Sequence, residues 1–279
     1  MFNKMRRIAK QNRNSIFIST ISTVNAMIVL LKKYVKTVGC EHFNYESACL
    51  RQRILRRITY PYLDAVVLLT QADTTHYKFI KKDRLFVIPN SISFTSDTFS
   101  TCEEKRIIAV GRLEHQKGFD FLLDAAVLMK KELSEWHLDI FGDGKQKNEL
   151  LQKISKLNLE DFVSINETTS KIKDELLKSS IYVMTSRYEG LPMVLLESQY
   201  LGLPAVSFDC PTGPSEIIVQ NETGYLVPFY DYTHLAKRVI TLACDIEKRK
   251  QFGINARKKS DRFSTKSVKK KWEFLLHRI

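Results

Sequence analysis

Short β-branched, apolar runs alternate with stretches in which apolar positions return every three or four residues. That spacing predicts strand–helix units and therefore parallel α/β sheets. Residues 15–21 read as a strand, 24–33 as a helix, 34–39 as a strand and 48–59 as a basic helix. Residues 65–70 then read as a strand, 72–80 as a helix and 85–88 as a strand that Pro89-Asn90 stops. Residues 91–105 are polar and aperiodic, as in a linker. A second series follows, with strands at 106–110, 137–141, 162–165, 181–185, 205–208 and 224–227. Its helices are at 119–133, 147–157, 171–178 and 192–201, and further helices close the chain. Two consecutive series predict two doubly wound domains, with a ligand expected in the cleft between them. The expected boundaries are 1–93, 94–262 and a closing helix over 263–279 that packs back on the first domain.

Composition narrows the picture. Apolar residues make up 44% and charged residues 27% of 279, which are globular proportions. The net charge of +13 is uneven: residues 1–60 hold 12 Lys/Arg against Glu41 and Glu46 alone. A basic first part predicts an anionic partner surface, and a merely soluble basic surface is the plainer alternative. Cys40, Cys49, Cys102, Cys210 and Cys244 are odd in number and lack metal-ligand spacing. They predict neither a disulfide framework nor a zinc site, and fit a reducing, cytoplasmic compartment. The basic N-terminus has no apolar segment after it, so no signal peptide is expected. No apolar run approaches the ~20 residues of a membrane span.

Candidate chemistry falls at two turns. Gly111-Arg112 follows the strand at 106–110, with Gln116-Lys117-Gly118 shortly after. The first turn of a doubly wound sheet is a phosphate-binding position, and two cations there can neutralise a diphosphate. Solvated loop charges are the alternative. After the strand at 181–185 comes Glu189-Gly190-Leu191-Pro192-Met193-Val194, with Glu197 further along the helix. Free N–H groups at that helix mouth would cradle an anion. Glu189 and Glu197 are too far apart along the helix to serve one atom. They suit two hydroxyl-bearing parts of an elongated ligand, or else a helix cap and a surface charge. His42 follows the strand at 34–39 and should stand at the carboxyl edge of its sheet, as a catalytic group or as a packing residue.

In the order GR…QKG, FGDG, SRYEGLPMVLLE, GP.EII and ETGYLV, the chain resembles glycosyltransferase family 4, whose fold is GT-B, α/β with two Rossmann-like domains facing a cleft. The resemblance runs over residues 15–279, and a nucleotide-diphosphate-sugar domain is expected over 105–247. By resemblance Arg112 and Lys117 grip the distal donor phosphate and Glu189 contacts the donor sugar. Glu197 binds the ribose, and Gly111 with residues 190–194 holds sugar and phosphate. His42, Arg112, Lys117 and Glu189 are the expected catalytic set. PTGPSEII at 211–218 and EHFNY at 41–45 look like the subgroup that builds capsule, exopolysaccharide or lipopolysaccharide. Nothing resembles an Asp-x-Asp metal site, so neither metal nor cofactor is expected.

Relative to that family the first domain is short by about 80 residues, two to three β–α units. This predicts an incomplete first domain, whether as a truncated copy, as one half of a split enzyme whose partner chain supplies the absent units, or as a chain that starts late. The expected function is retaining transfer from a nucleotide sugar, UDP-sugar favoured, to a glycan or lipid-linked glycan. The basic helix, through Arg51, Arg53, Arg56 and Arg57, would meet an anionic membrane surface on its inner face. A non-catalytic sugar-nucleotide-binding subunit is the alternative. A glycoside hydrolase leaves Arg112 and Lys117 unexplained, and nucleic acid is not expected, for want of a recognition motif.

Overall fold

The four apolar runs of the first third pair as a parallel sheet: β1 (Ile16–Ser19), β2 (Lys36–Cys40), β3 (Ala65–Leu68) and β4 (Leu85–Val87), in that order. Ile16 pairs with Lys36, Val38 with Ala65 and Val66 with Leu85. All four residues of β3 are buried, because a central parallel strand is covered on both faces. Its side chains alternate as the pleat dictates. Val66 and Leu68 join Ile28, Leu31, Tyr60 and Tyr77 on one face. Ala65 and Val67 join Val38, Ile88, Val268 and Leu275 on the other. The last two come from the closing helix Thr265–Arg278, two turns apart on one stripe.

The remaining six strands are β5 (Arg106–Val110), β6 (His137–Phe141), β7 (Val163–Asn166), β8 (Ile181–Met184), β9 (Ala205–Phe208) and β10 (Gly224–Val227). They form a second parallel sheet in the order β10-β9-β8-β5-β6-β7. The order reverses at β5, between β6 and β8. The loops leaving β5 and β8 therefore diverge at a topological switch point, where such sheets bind ligands. Helix Phe119–Glu132 buries Leu122, Leu123, Ala125, Ala126 and Met129 against this sheet, and helix Tyr232–Cys244 buries Leu235, Ala236, Val239 and Leu242. Each fully buried Leu, Val or Met among them contributes roughly 1.5–3 kcal/mol, and each Ala less.

The computed structural model describes residues 1–279. The chain divides into two units, Met1–Ser91 with Thr265–Ile279, and Ile92–Ser264.

Two local expectations are corrected. The polar stretch 91–105 is exposed over much of its length, as a linker would be, but it is pinned at several points rather than free. The Ser100 N–H donates to Leu201 O at 2.8 Å and its hydroxyl to Ser179 O at 2.6 Å. Cys102 is buried, and its carbonyl accepts from Arg249 Nε at 2.7 Å. Specific partners, not apolar periodicity, hold this segment on the second unit. The expected helix at 72–80 is a 3-10 turn, Ala72–Tyr77. Thr74 and Thr75 hydroxyls donate to the carbonyls of Gln71 and Ala72, so the side chains compete with a regular helical ladder.

Candidate functional site

β5 delivers Gly111 and Arg112 to the switch point, and the backbone there is locked to the loop after β6. The Gly111 N–H donates to Phe141 O at 3.0 Å and Leu113 N–H to Asp143 O at 2.8 Å. A Cβ at Gly142 would stand 1.9 Å from Gly111 O, so only glycine lets the two loops touch. The β5 loop closes with Gly118 at φ +64°, where a Cβ would stand 2.1 Å from Thr185 O. Glycine is required there twice over, by conformation and by space.

The loop after β8 is tied to this one by polar contacts. The Arg187 N–H donates to Gln116 O at 2.8 Å. The Arg187 guanidinium forks onto Asp120 at 2.9 and 2.7 Å, donates to His115 O at 2.7 Å and lies over the Phe121 ring at 4.5 Å. Burial works against the Asp120 charge, and Arg187 outweighs it, leaving that carboxyl below its ordinary range. Gln116 Nε2 donates to Tyr188 O at 3.0 Å. Lys117 Nζ meets Glu189 Oε1 at 2.7 Å, with side-chain exposures of 20% and 8%.

Glu189 leads into Gly190 and then helix Met193–Tyr200, for which Pro192 is the N-cap. Leu196 N–H reaches Pro192 O at 3.1 Å, and the N–H groups of the turn before it have no helical acceptor. The helix dipole adds partial positive charge at that mouth. Thr212 donates to Glu189 O. Gly213, at φ +100°, brings its loop so close that a Cβ would stand 2.5 Å from Pro192 Cδ.

The structure therefore brings Lys117, Glu189 and Gly190 together. Arg112 joins through Gln116: its Nη2 donates to Gln116 Oε1 at 3.0 Å, and Nη1 lies 3.7 Å from the Glu114 carboxylate. Its side chain is 65% exposed, free to turn toward an anion. Gly111 and Arg112 also edge a cavity of about 220 Å³ walled by Val110, Phe141, Ile172 and Val194. Leu191 and Pro192 are buried beneath the helix mouth, and Met193 is half-buried. Glu197 stands apart from the Lys117 pair. Its carboxylate accepts from Ser93 Oγ at 2.9 Å, and burial raises its pKa, with Ser93 opposing. His42 lies just beyond β2, half-buried, in the other unit. No group of three or more His, Cys, Asp or Glu side chains is placed to hold a metal ion.

Arg187, Asp120 and Ser93 were not among the binding or catalytic residues expected from sequence, whereas Thr212 lies on the loop after the strand at 205–208 that the family resemblance places at the edge of the donor pocket. Arg187 falls within the SRYEGLPMVLLE motif, two residues before Glu189, the one signal that could have singled it out. The membrane-facing arginines need a correction. Arg56 is 3% exposed, and its Nη2 bonds Glu41 Oε2 at 2.7 Å and Ser22 Oγ at 2.9 Å. A side chain so enclosed cannot reach a headgroup. Arg53 is half-buried, and its Nε donates to Ala48 O at 2.8 Å. Arg51 and Arg57 are exposed. No helix is long and apolar enough to cross a membrane.

Comparison with known proteins places these features in context. Residues 96–259 match the family described as glycosyl transferases group 1. The amylovoran biosynthesis glycosyltransferase AmsD of Erwinia amylovora is 33% identical over 97% of this chain and 80% of its own length. A Campylobacter jejuni protein named as a GalNAc-alpha-(1->4)-GalNAc-alpha-(1->3)-diNAcBac-PP-undecaprenol alpha-1,4-N-acetyl-D-galactosaminyltransferase is 31% identical over all of this chain and 79% of its own. The crystal structure of a Staphylococcus aureus TarM mutant, determined with fondaparinux, alpha-GlcNAc-glycerol and UDP, superposes with a TM-score of 0.86 at 24% identity. It covers 98% of this chain, which spans only 57% of the TarM chain.

Proposed function

The chain belongs to the group 1 glycosyl transferases and is a glycosyltransferase of the GT-B fold, and from that premise we propose how its second unit holds a donor. The donor is a nucleotide-diphosphate sugar, and the sugar moves to an acceptor hydroxyl with retention of anomeric configuration. The observation that carries this is the Lys117–Glu189 pair at the mouth of helix Met193–Tyr200, on the switch point of the sheet.

Arg112, Lys117, Gly111 and the N–H groups of residues 190–194 take the diphosphate. The nucleobase enters the cavity between Val110, Phe141, Ile172 and Val194. Glu197 accepts from ribose hydroxyls and Glu189 from hydroxyls of the sugar. As the bond to the sugar breaks, negative charge builds on the leaving diphosphate. Lys117, Arg112 and the helix dipole are fixed where that charge appears, and preorganised charge of this kind acts without reorganisation. Side chains and backbone alone neutralise the leaving group, so EDTA should leave turnover unchanged. His42 is the catalytic candidate from the first unit. His42→Ala should keep donor binding and lower turnover.

UDP-sugar is the favoured donor, given the UDP in the TarM structure, and a glycan or lipid-linked glycan the acceptor, given the names of the relatives. Bacterial surface polysaccharide synthesis, at the cytoplasmic face of a membrane, is the setting that fits both.

The test is a thermal-shift panel of UDP-, GDP- and ADP-sugars. Saturation at a hundred times Kd adds about 2.7 kcal/mol, so one member should raise Tm by several degrees. Arg112→Ala should abolish most of that rise. If no nucleotide sugar moves Tm, the donor site is wrong. Binding without turnover would favour a sugar-nucleotide-binding subunit that acts with a partner chain.

A further inference from the structure

Helix Leu50–Thr59 is turned inside out. Its one buried side chain is an arginine, Arg56. Its large apolar side chains face outward: Leu50 is 72% exposed, Ile54 49%, Ile58 62% and Leu55 37%. At 3.6 residues per turn each step of four advances about 40° round the axis, so Leu50, Ile54 and Ile58 form one stripe. By the same geometry Arg56 lies about 160° from the middle of that stripe, and Arg57 and Arg51 fall about 20° beyond its two ends. Both flanking arginines are exposed.

The inversion has a cause inside the fold. Glu41, 4% exposed, ends up under this helix, and Arg56 is the cation that neutralises it. Once Arg56 is fixed inward, the apolar positions on the opposite side must face out. A soluble surface helix has the reverse arrangement. Just past the helix Tyr62 is 62% exposed, an aromatic body with a polar tip. No acidic residue occurs between Glu46 and Asp64.

We propose that this helix docks the chain on an anionic lipid bilayer, lying in the plane of the interface. Leu50, Ile54 and Ile58 seat at the boundary of headgroups and acyl chains, and Arg51 and Arg57 meet lipid anions on either flank. The charges favour this occupant over a second copy. Two such stripes facing each other would bring Arg51 and Arg57 against like cations, with no carboxylate in the segment to relieve them. The inference deepens the membrane location proposed above and makes no demand on the donor site.

The experiment is flotation of the full chain with vesicles of phosphatidylcholine alone and of phosphatidylcholine mixed with phosphatidylglycerol. The wild type should float with the mixed vesicles. The double variant Ile54→Glu, Ile58→Glu changes only outward side chains and should lower partitioning roughly tenfold or more. Arg51→Gln with Arg57→Gln should abolish the preference for anionic vesicles. Unchanged flotation of the double glutamate variant would overturn the proposal. So would a wild-type dimer in gel filtration that this variant dissolves while neither protein binds vesicles. A nucleotide-sugar thermal shift retained in the variant shows it folded, and separates this outcome from failure of the donor site.

Discussion

Glu41–Arg56 in the first unit and Lys117–Glu189 in the second share a closest N–O distance of 2.7 Å, and each stands beyond the carboxyl end of a parallel strand. Their surroundings differ. Glu41 also accepts from Ser22 at 3.1 Å, from Asn25 at 3.5 Å and from the Tyr60 hydroxyl. Burial works against the Arg56 charge, but Glu41, with Tyr77 and Tyr60, more than restores it and raises its pKa. The Glu41 carboxylate, 4% exposed, is fully occupied by these donors, although Arg56 Nε and Nη1 keep no partner and a cavity of about 360 Å³ borders Arg56 and Ser22. Lys117 gives one of its three N–H donors to Glu189 and keeps a fifth of its side chain exposed. An unsaturated pair beside a helix mouth can exchange partners with an incoming anion. The depth of burial, not the ion pair itself, separates the two salt bridges.

Four measurements sharpen or break that contrast. The largest effect is expected from Glu41→Ala, which strands a buried cation and should cost about 3–5 kcal/mol in chemical denaturation. Lys117→Ala leaves Glu189, 8% exposed, without its cation, but solvent reaches the vacated lysine position, so a smaller loss of about 1–3 kcal/mol is expected. Equal losses would erase the distinction. Turnover should invert the order: Lys117→Ala is expected to lower kcat/KM by about 10²–10³ in a transferase assay. A fully active Lys117→Ala would remove the pair from the site.

Arg187→Ala comes next, because it unties the β5 loop from the β8 loop at three acceptors. A stability loss of about 2 kcal/mol is expected, with a raised donor KM that Arg187→Lys fails to restore, since lysine lacks the planar fork. An unchanged KM would make Arg187 structural only.

The smallest effect concerns Glu197. Its folded pKa lies above its ordinary one because burial disfavours the charge. The folded state therefore binds the proton more tightly, and stability falls as pH rises from the ordinary glutamate range through the raised value. Glu197→Gln should thus raise Tm slightly at neutral pH, and the gain should vanish below the ordinary range. A gain that persists in acid would mean that charge is not its cause.

Much of this was legible along the chain. Period-2 and period-3.6 patterns located all ten strands within two or three residues, because apolar runs that must be covered on both faces leave an unmistakable local signature. Gly111-Arg112 and Glu189-Gly190 could be assigned to turns after strands for the same reason. The ties among the loops could not be read. Arg187 meets Asp120 across 67 residues and Ser93 meets Glu197 across 104. No local pattern encodes such pairings.

Helix Leu50–Thr59 marks the boundary most clearly. From sequence its arginines all pointed to an anionic surface, since charge on a helix is ordinarily the solvent face. The fold turned one of them inward, onto the enclosed Glu41 carboxylate. Local pattern determined which elements form and in what order, since backbone hydrogen bonding and side-chain periodicity act over a few residues. Only the tertiary structure decided which face of each element is buried and which ion pairs are sealed, since desolvation depends on everything packed around a charge.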